Sequence, residues 1–362
     1  MHDLPAIAGL DGVVAAETVL SEVDGTAGRL LIRGYRLEDI AGHHSFEWAL
    51  GRLWEGFVDR PLDEASLRRD LGAARVVAFS ELRPLLGLAA ARSPMEALKL
   101  LVAGAPDEAE NLPVQLTAVI AVGLCAATQM AAGADPVAPD PALGHAADLL
   151  RMLRGTPATP AEVAALETYL VSACDHGLNA STFTARVVAS TRAGLASAVT
   201  AALCALKGPL HGGAPGPVLD MLDAIQANGS AEHWIEEALA RGERLMGFGH
   251  RVYRVRDPRA EVLKRAVAHL ERDAGRIAFA EAVETAALAA LARHSPGRSL
   301  QTNTEFYTAL LLEALGVPRE AFTGVFAVAR VGGWVAHALE QVATSRLIRP
   351  QSRYIGPRLH VA

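Results

Sequence analysis

Residues 247–260 read GFGHRVYRVRDPRA. Gly247 and Gly249 flank Phe248 and let the backbone come close to a ligand. His250 follows, and Arg251, Arg254, Arg256 and Arg259 spread positive charge along the same short segment. Asp257-Pro258 is a helix start: the carboxylate caps free N–H groups, and proline suits the first helical position because no donor is needed there. Arg259 then lies in the first turn, at the positive end of the helix dipole, where an anion is well held. One junction of loop and helix therefore offers a titratable imidazole, an open backbone and a clamp for a carboxylate or phosphate.

Along the whole chain, alanine and leucine dominate and aromatic residues are only 5%. Segments 160–173, 183–206, 231–245, 259–273, 278–294, 304–315 and 323–346 have the apolar periodicity of helices. Gly208-Pro209, Gly212-Gly213, Pro215-Gly216-Pro217, Pro296-Gly297 and Gly316-Val317-Pro318 punctuate them. Alternating patterns are confined to residues 13–20 and 29–33, which suggest a small hairpin around Asp24-Gly25. The expected fold class is all-α with a small N-terminal β-hairpin.

The chain has 362 residues, more than one hydrophobic core usually serves. With 51% hydrophobic and 20% charged residues, the composition is globular rather than disordered. A net charge of −6 gives no support to a nucleic-acid surface. Cys125, Cys174 and Cys204 are far apart and lack metal-ligand spacing, so buried free thiols in a reducing compartment are expected. The start, MHDLPAIAGLDG, has no basic region followed by an apolar core, and a cytoplasmic location is expected. Residues 113–133 are uncharged over a membrane-spanning length. They are rich in Ala, Gly, Thr and Gln rather than Leu, Ile and Phe, and read as a helix buried in the core or at a subunit interface, not in a membrane.

His176 in CDHGLNASTF, His211 in KGPLHGGAPGPV and His250 all sit beside turn signals. No H-E-x-x-H or comparable ligand spacing accompanies them, and no metal is expected. Glu305 in QTNTEFYTALL opens an apolar helix, Arg330 in FAVARVGGWVAHALEQ precedes two glycines, and Arg349 in RLIRPQSRY precedes a proline. Guanidinium groups pair bidentately with carboxylates, so this set suits a small polycarboxylate. A carboxylate base with imidazole donors suits proton abstraction beside a carbonyl.

The segments GLDGVVAAETVLSEVDGTAGRLLIRGY, DHGLNASTFTARVVAST, GPLHGGAP, GFGHRVYRVRDPRA, NTEFY and ARVGGWVAH stand in the order of the N-terminal and active-site segments of the citrate synthases. The chain resembles that family over essentially its whole length, in its shorter bacterial and archaeal form. The resemblance implies a transferase of the tricarboxylic acid cycle that condenses acetyl-CoA with oxaloacetate and hydrolyses citryl-CoA to citrate and CoA. It implies no cofactor, since the CoA thioester is a substrate. It also implies a homodimer whose large domain (1–212 and 316–362) carries the subunit interface. A small domain (213–315) would close over the site at hinges near His211 and Gly316. By matching motif positions, His211 would stabilise the enol or enolate, Glu305 would take the methyl proton, and His250 would polarise the ketone. His176, Arg259, Arg330 and, from the second subunit, Arg349 would hold the oxaloacetate carboxylates. Leu245, Met246, Gly247, Phe248, Gly249 and Asn303 would receive CoA, with Arg254 or Arg256 at its phosphates.

Two departures bear on substrate. The usual base is an aspartate, in N-V-D-F-Y, where this chain has Glu305. The extra methylene shifts a carboxylate by about 1 Å, a displacement that costs about a hundredfold in rate unless the backbone compensates. Pro215-Gly216-Pro217 stands after HGGA where the commoner sequence has asparagine and an acidic residue, as in a branch that makes citrate and sometimes 2-methylcitrate. Synthesis of 2-methylcitrate from propionyl-CoA, and a weakly catalytic paralogue that binds CoA or dicarboxylate, are the competing expectations.

Overall fold

The computed structural model describes residues 8–10, 12–107, 111–212, 215–270, 274–344 and 346–357. The described chain is helical apart from one small antiparallel sheet, Ser21–Asp24, Arg29–Ile32 and Tyr35–Arg36, in that spatial order. At its centre runs the Phe322–Thr344 helix, buried along most of its length, including Arg330 and His337. Around it pack Phe46–Trp54, Leu112–Ala131, Pro160–Ala173, Ala180–Ser190 and Leu195–Leu206. A second group of helices, Pro215–Asn228, Ala231–Ala240, Pro258–Ala268, Ala274–His294 and Thr304–Ala314, packs largely among its own members. Pro258–Ala268 also rests on Pro160–Ala173, which joins the two groups.

Small residues on the central helix position the site. A Cβ on Gly333 would overlap the Cys174 carbonyl oxygen and lie 3.0 Å from an Asp175 carboxylate oxygen. Only glycine lets the loop after Pro160–Ala173 lie flat on the helix, one turn from Arg330. That loop carries His176.

The helices at 160–173, 304–315 and 323–346 form within a residue or two of the expected limits. Four others differ, the one expected over 278–294 beginning earlier, at Ala274. The single helix expected over 183–206 is two, Ala180–Ser190 and Leu195–Leu206. Arg192 and Gly194 between them take φ of 61° and 99°, and the Asp107 carboxylate accepts from the Ser197 amide at 3.0 Å, supplying a helix cap from a distant segment. The 231–245 helix stops at Ala240, and the 259–273 helix spans Pro258–Ala268, with residues 271–273 outside the described set. The first strand lies at Ser21–Asp24 rather than 13–20. Asp24 Oδ1 accepts from the amides of Thr26 (3.0 Å) and Ala27 (2.8 Å), and Asp24 pairs with Arg29, so the strand must run up to this turn.

Leu112–Ala131 and Arg319–Thr344 are long and apolar enough to cross a membrane, but 78% and 83% of an apolar 18-residue stretch within each is buried inside the protein. The expectation of a core helix at 113–133 holds. Cys125 and Cys174 are buried free thiols; Cys204, expected to be buried, is exposed.

Candidate active site

Residues 247–260 adopt the expected loop-to-helix junction. Asp257 caps Pro258–Ala268, its Oδ1 accepting from the Arg259 amide at 3.0 Å. The same carboxylate pairs with the Arg259 guanidinium at 2.8 Å and accepts from the Thr304 amide at 3.3 Å. One buried aspartate therefore ties together the N-termini of two helices and aims an arginine. His250 is fixed by its own loop. Its Nδ1 accepts from the amides of Val252 (3.0 Å) and Tyr253 (3.1 Å), so Nε2 carries the ring hydrogen. That Nε2 stands 3.3 Å from Arg259 Nη2, which is also a donor. Burial, then the Arg259 charge, pushes the His250 pKa down to about 4, against the pull of Asp257.

His176 faces this pair. Its ring centroid is 5.7 Å from that of His250, and Nε2 is 3.2 Å from the Tyr253 hydroxyl. Burial, with Arg259 and Arg330 nearby, holds it well below the usual imidazole range. Arg330 is buried; its Nε donates to the Ala173 carbonyl at 2.6 Å and its guanidinium lies over the Phe326 ring at 4.9 Å. Among the described residues no carboxylate comes within ion-pair distance of it. Burial pulls its pKa down to about 10, with Asp175 opposing. A buried guanidinium without an acidic partner is costly unless a ligand supplies the charge.

His211 lies in the turn after Leu195–Leu206, with Phe326 edge-on at 6.2 Å. The Ser181 amide donates to its Nε2 at 3.3 Å; an amide has only a proton to give, so Nδ1 carries the imidazole hydrogen. The Ser181 hydroxyl lies 2.8 Å from that Nε2 and accepts from Trp334 Nε1 at 3.1 Å. Burial, then Arg330, lowers the His211 pKa to about 4, so the ring is neutral near pH 7 and free to donate. Gly213 and Ala214, which follow in the motif, lie outside the described residues, as does the start of the expected small domain.

Glu305 sits in the first turn of Thr304–Ala314, whose N-cap is Asn303. Asn303 stitches this turn to the histidine loop: its amide donates to the Gly247 carbonyl (2.9 Å), its Nδ2 donates to the Gly249 carbonyl (2.8 Å), and its Oδ1 accepts from the Glu305 amide (3.0 Å). Burial raises the Glu305 pKa to about 7, with Arg259 opposing and Asp257 reinforcing. Leu245 and Phe248 are buried, Phe248 tilted against Phe306 at 5.4 Å. Met246 is half-buried, while Gly247 and Gly249 take positive φ of 84° and 79°. Arg254 is exposed, whereas Arg256 is engaged by Glu284 at 3.1 Å and Glu261 at 3.0 Å. Arg349 is exposed on the segment that follows the central helix, just past Ile348, whose amide donates to Ser190 Oγ at 3.1 Å. The structure thus groups His176, His250, Arg259 and Arg330, joins Glu305 to the same loop, and leaves Arg349 apart. Sequence reasoning missed Tyr253, Ser181 and the double role of Asp257. Tyr253 lay inside the quoted segment, but nothing in the spacing says that its hydroxyl reaches His176.

Neutral imidazoles at His211 and His250, buried arginines and a carboxyl group near neutrality are groups suited to a small anion. The family model "Citrate synthase, C-terminal domain" matches residues 9–351. The citrate synthase of Haloferax volcanii is 40% identical over 97% of this chain and 96% of its own. The 2-methylcitrate synthase of Mycobacterium tuberculosis is 36% identical over 96% and 90%. A solved ternary complex of carboxymethyl coenzyme A and oxaloacetate with citrate synthase from Thermoplasma acidophilum superposes with a TM-score of 0.84, 28% identity, and coverage of 98% of this chain and 97% of that one. The chain belongs to the citrate synthase family.

Proposed function

We propose that this protein condenses acetyl-CoA with oxaloacetate and hydrolyses the resulting citryl-CoA to citrate and CoA. One observation carries the reading. His250 Nε2–H and the Arg259 guanidinium, both donors, converge at 3.3 Å, and a ligand oxygen beside them would satisfy both. In this reading that oxygen is the oxaloacetate ketone, and Arg259, Arg330 and His176 take its carboxylates. Glu305, ionised, removes a methyl proton from the thioester. His211 Nδ1–H donates to the enolate oxygen that forms. Such a donor contributes about 3 kcal/mol when it is aimed at developing charge. The enolate carbon attacks the ketone, His250 and Arg259 stabilise the new alkoxide, and water then cleaves the thioester.

Arg349 acts from the partner of a homodimer in this reading. Supporting that, the segment carrying it leaves Leu347, Tyr354 and Ile355 exposed at 57%, 78% and 87%. Residues 213–315 form the closing domain, which excludes water from the enolate. Thiol release from acetyl-CoA with oxaloacetate is the test, and absence of turnover with any acyl-CoA would overturn the reading. The likeness to a 2-methylcitrate synthase supports propionyl-CoA as a second substrate. The ratio of kcat/KM for the two thioesters decides preference, since one methylene is worth about 1–3 kcal/mol.

A further inference from the structure

The N-terminal hairpin touches both histidine loops at once. At its base, Ser21 Oγ donates to Asp175 Oδ2 at 2.5 Å and accepts from the Gly177 amide at 2.9 Å, gripping the residues on either side of His176. At its turn, the Gly25 carbonyl accepts from the Arg254 amide at 2.8 Å. A Cβ on Gly25 would overlap the Val252 carbonyl oxygen, and one on Gly28 would lie 2.6 Å from Val255 Cγ2. Backbone thus meets backbone at the segment that holds His250 Nδ1 and carries Tyr253. Tyr253 completes the bridge, its hydroxyl 3.2 Å from His176 Nε2 and its ring 4.8 Å from that of His250. His176 and Tyr253 are 77 residues apart in sequence, and the hairpin is remote from both. A short hairpin is marginal by itself in water, so docking on these loops holds it in place.

We propose that the hairpin is a positioning element of the carboxylate pocket, setting the span between His176 and His250 through Ser21 and Gly25. It rests on the reading of those histidines as oxaloacetate ligands. Ser21 and Gly25 act through other residues and touch no substrate. Three variants test this: Gly25→Ala, which wedges the turn away from Val252; Ser21→Ala, which removes the base contact with little threat to folding; and Ser21→Thr, which restores a hydroxyl. Gly34→Ala is the control, because an added Cβ there strains the hairpin's other turn (φ +85°) but meets nothing within 4 Å.

The expected result is a KM for oxaloacetate raised about tenfold in Gly25→Ala and severalfold in Ser21→Ala, with KM for acetyl-CoA within about twofold of wild type. That is the size of effect expected from losing one buried hydrogen bond or packing contact. Ser21→Thr recovers most of the loss and Gly34→Ala leaves both constants unchanged. Hydrogen exchange without ligand should show the Arg254 amide deprotected in Gly25→Ala and the Gly177 amide in Ser21→Ala. An unchanged KM for oxaloacetate in both folded variants, or a parallel rise in both KM values, overturns the proposal. The exchange measurement needs no turnover. If wild type neither turns over nor gains protection over residues 250–259 with oxaloacetate, the functional reading fails, while loss of protection at Arg254 still reports the mechanical link.

Discussion

Glu305 holds the balance between stability and chemistry. Its folded pKa of about 7 lies above the ordinary 4.5 because burial disfavours the charged form. A raised pKa means that folding favours the protonated acid, so stability present below pH 4.5 is lost as pH rises through about 7. The loss at pH 8 is on the order of 3 kcal/mol. Glu305→Gln should therefore melt higher than wild type at pH 8, with the gap closing at pH 5, while thiol release falls by about 10²–10⁴-fold. Activity equal to wild type in Glu305→Gln would remove Glu305 from the mechanism. A base must be ionised, so kcat/KM of the wild type should fall as pH drops through about 7. A pH–rate profile lacking that acid limb would contradict the assignment. His211 and His250, both near 4, stay neutral across this window and set no limb there.

Among elements, the junction between Pro258–Ala268 and Thr304–Ala314 matters most, because Asp257 serves both helix ends and the Arg259 guanidinium. Asp257→Ala leaves a buried guanidinium unpaired and two amide donors uncapped. Breaking a buried pair from one side costs about 3–5 kcal/mol, and thermal melting should show a fall of several degrees or more. A melt unchanged within a degree would mean that solvent replaces the carboxylate. Asp257-Pro258 was legible as a cap because capping is local chemistry between neighbours in sequence. The second bond, to Thr304, was not, since it joins residues 47 apart. The split of 183–206 was hidden for the same reason: TRAG carries no proline, and its cap is the distant Asp107 carboxylate.

For the whole molecule, the proposed homodimer is tested by whether Arg349 serves its own chain's site or that of a partner subunit. His211→Ala and Arg349→Ala homodimers should each be poor catalysts. Mixed subunits distinguish the cases. If Arg349 acts across the interface, a heterodimer holds one wild-type site and one doubly defective site, and unfolding and refolding the mixture should restore up to about a quarter of wild-type activity. If it acts within its own chain, every heterodimer site carries one lesion and mixing restores nothing. A stable, active monomer by mass measurement would remove the partner altogether.

Within the sequence itself, local physics was sufficient for the helical class, the hairpin turn at Asp24 and the capped junction after the histidine loop. Each depends on neighbours a few positions apart or on composition, where backbone hydrogen bonding and apolar periodicity act directly. Tertiary structure alone decided which nitrogen of His211 and His250 carries the hydrogen, that Arg330 is buried with no carboxylate at ion-pair distance among the described residues, that Tyr253 bridges to His176, and that Glu305 titrates near neutrality. These are set by desolvation and by donors and acceptors that chain folding brings together from remote positions, and no spacing along the chain encodes them.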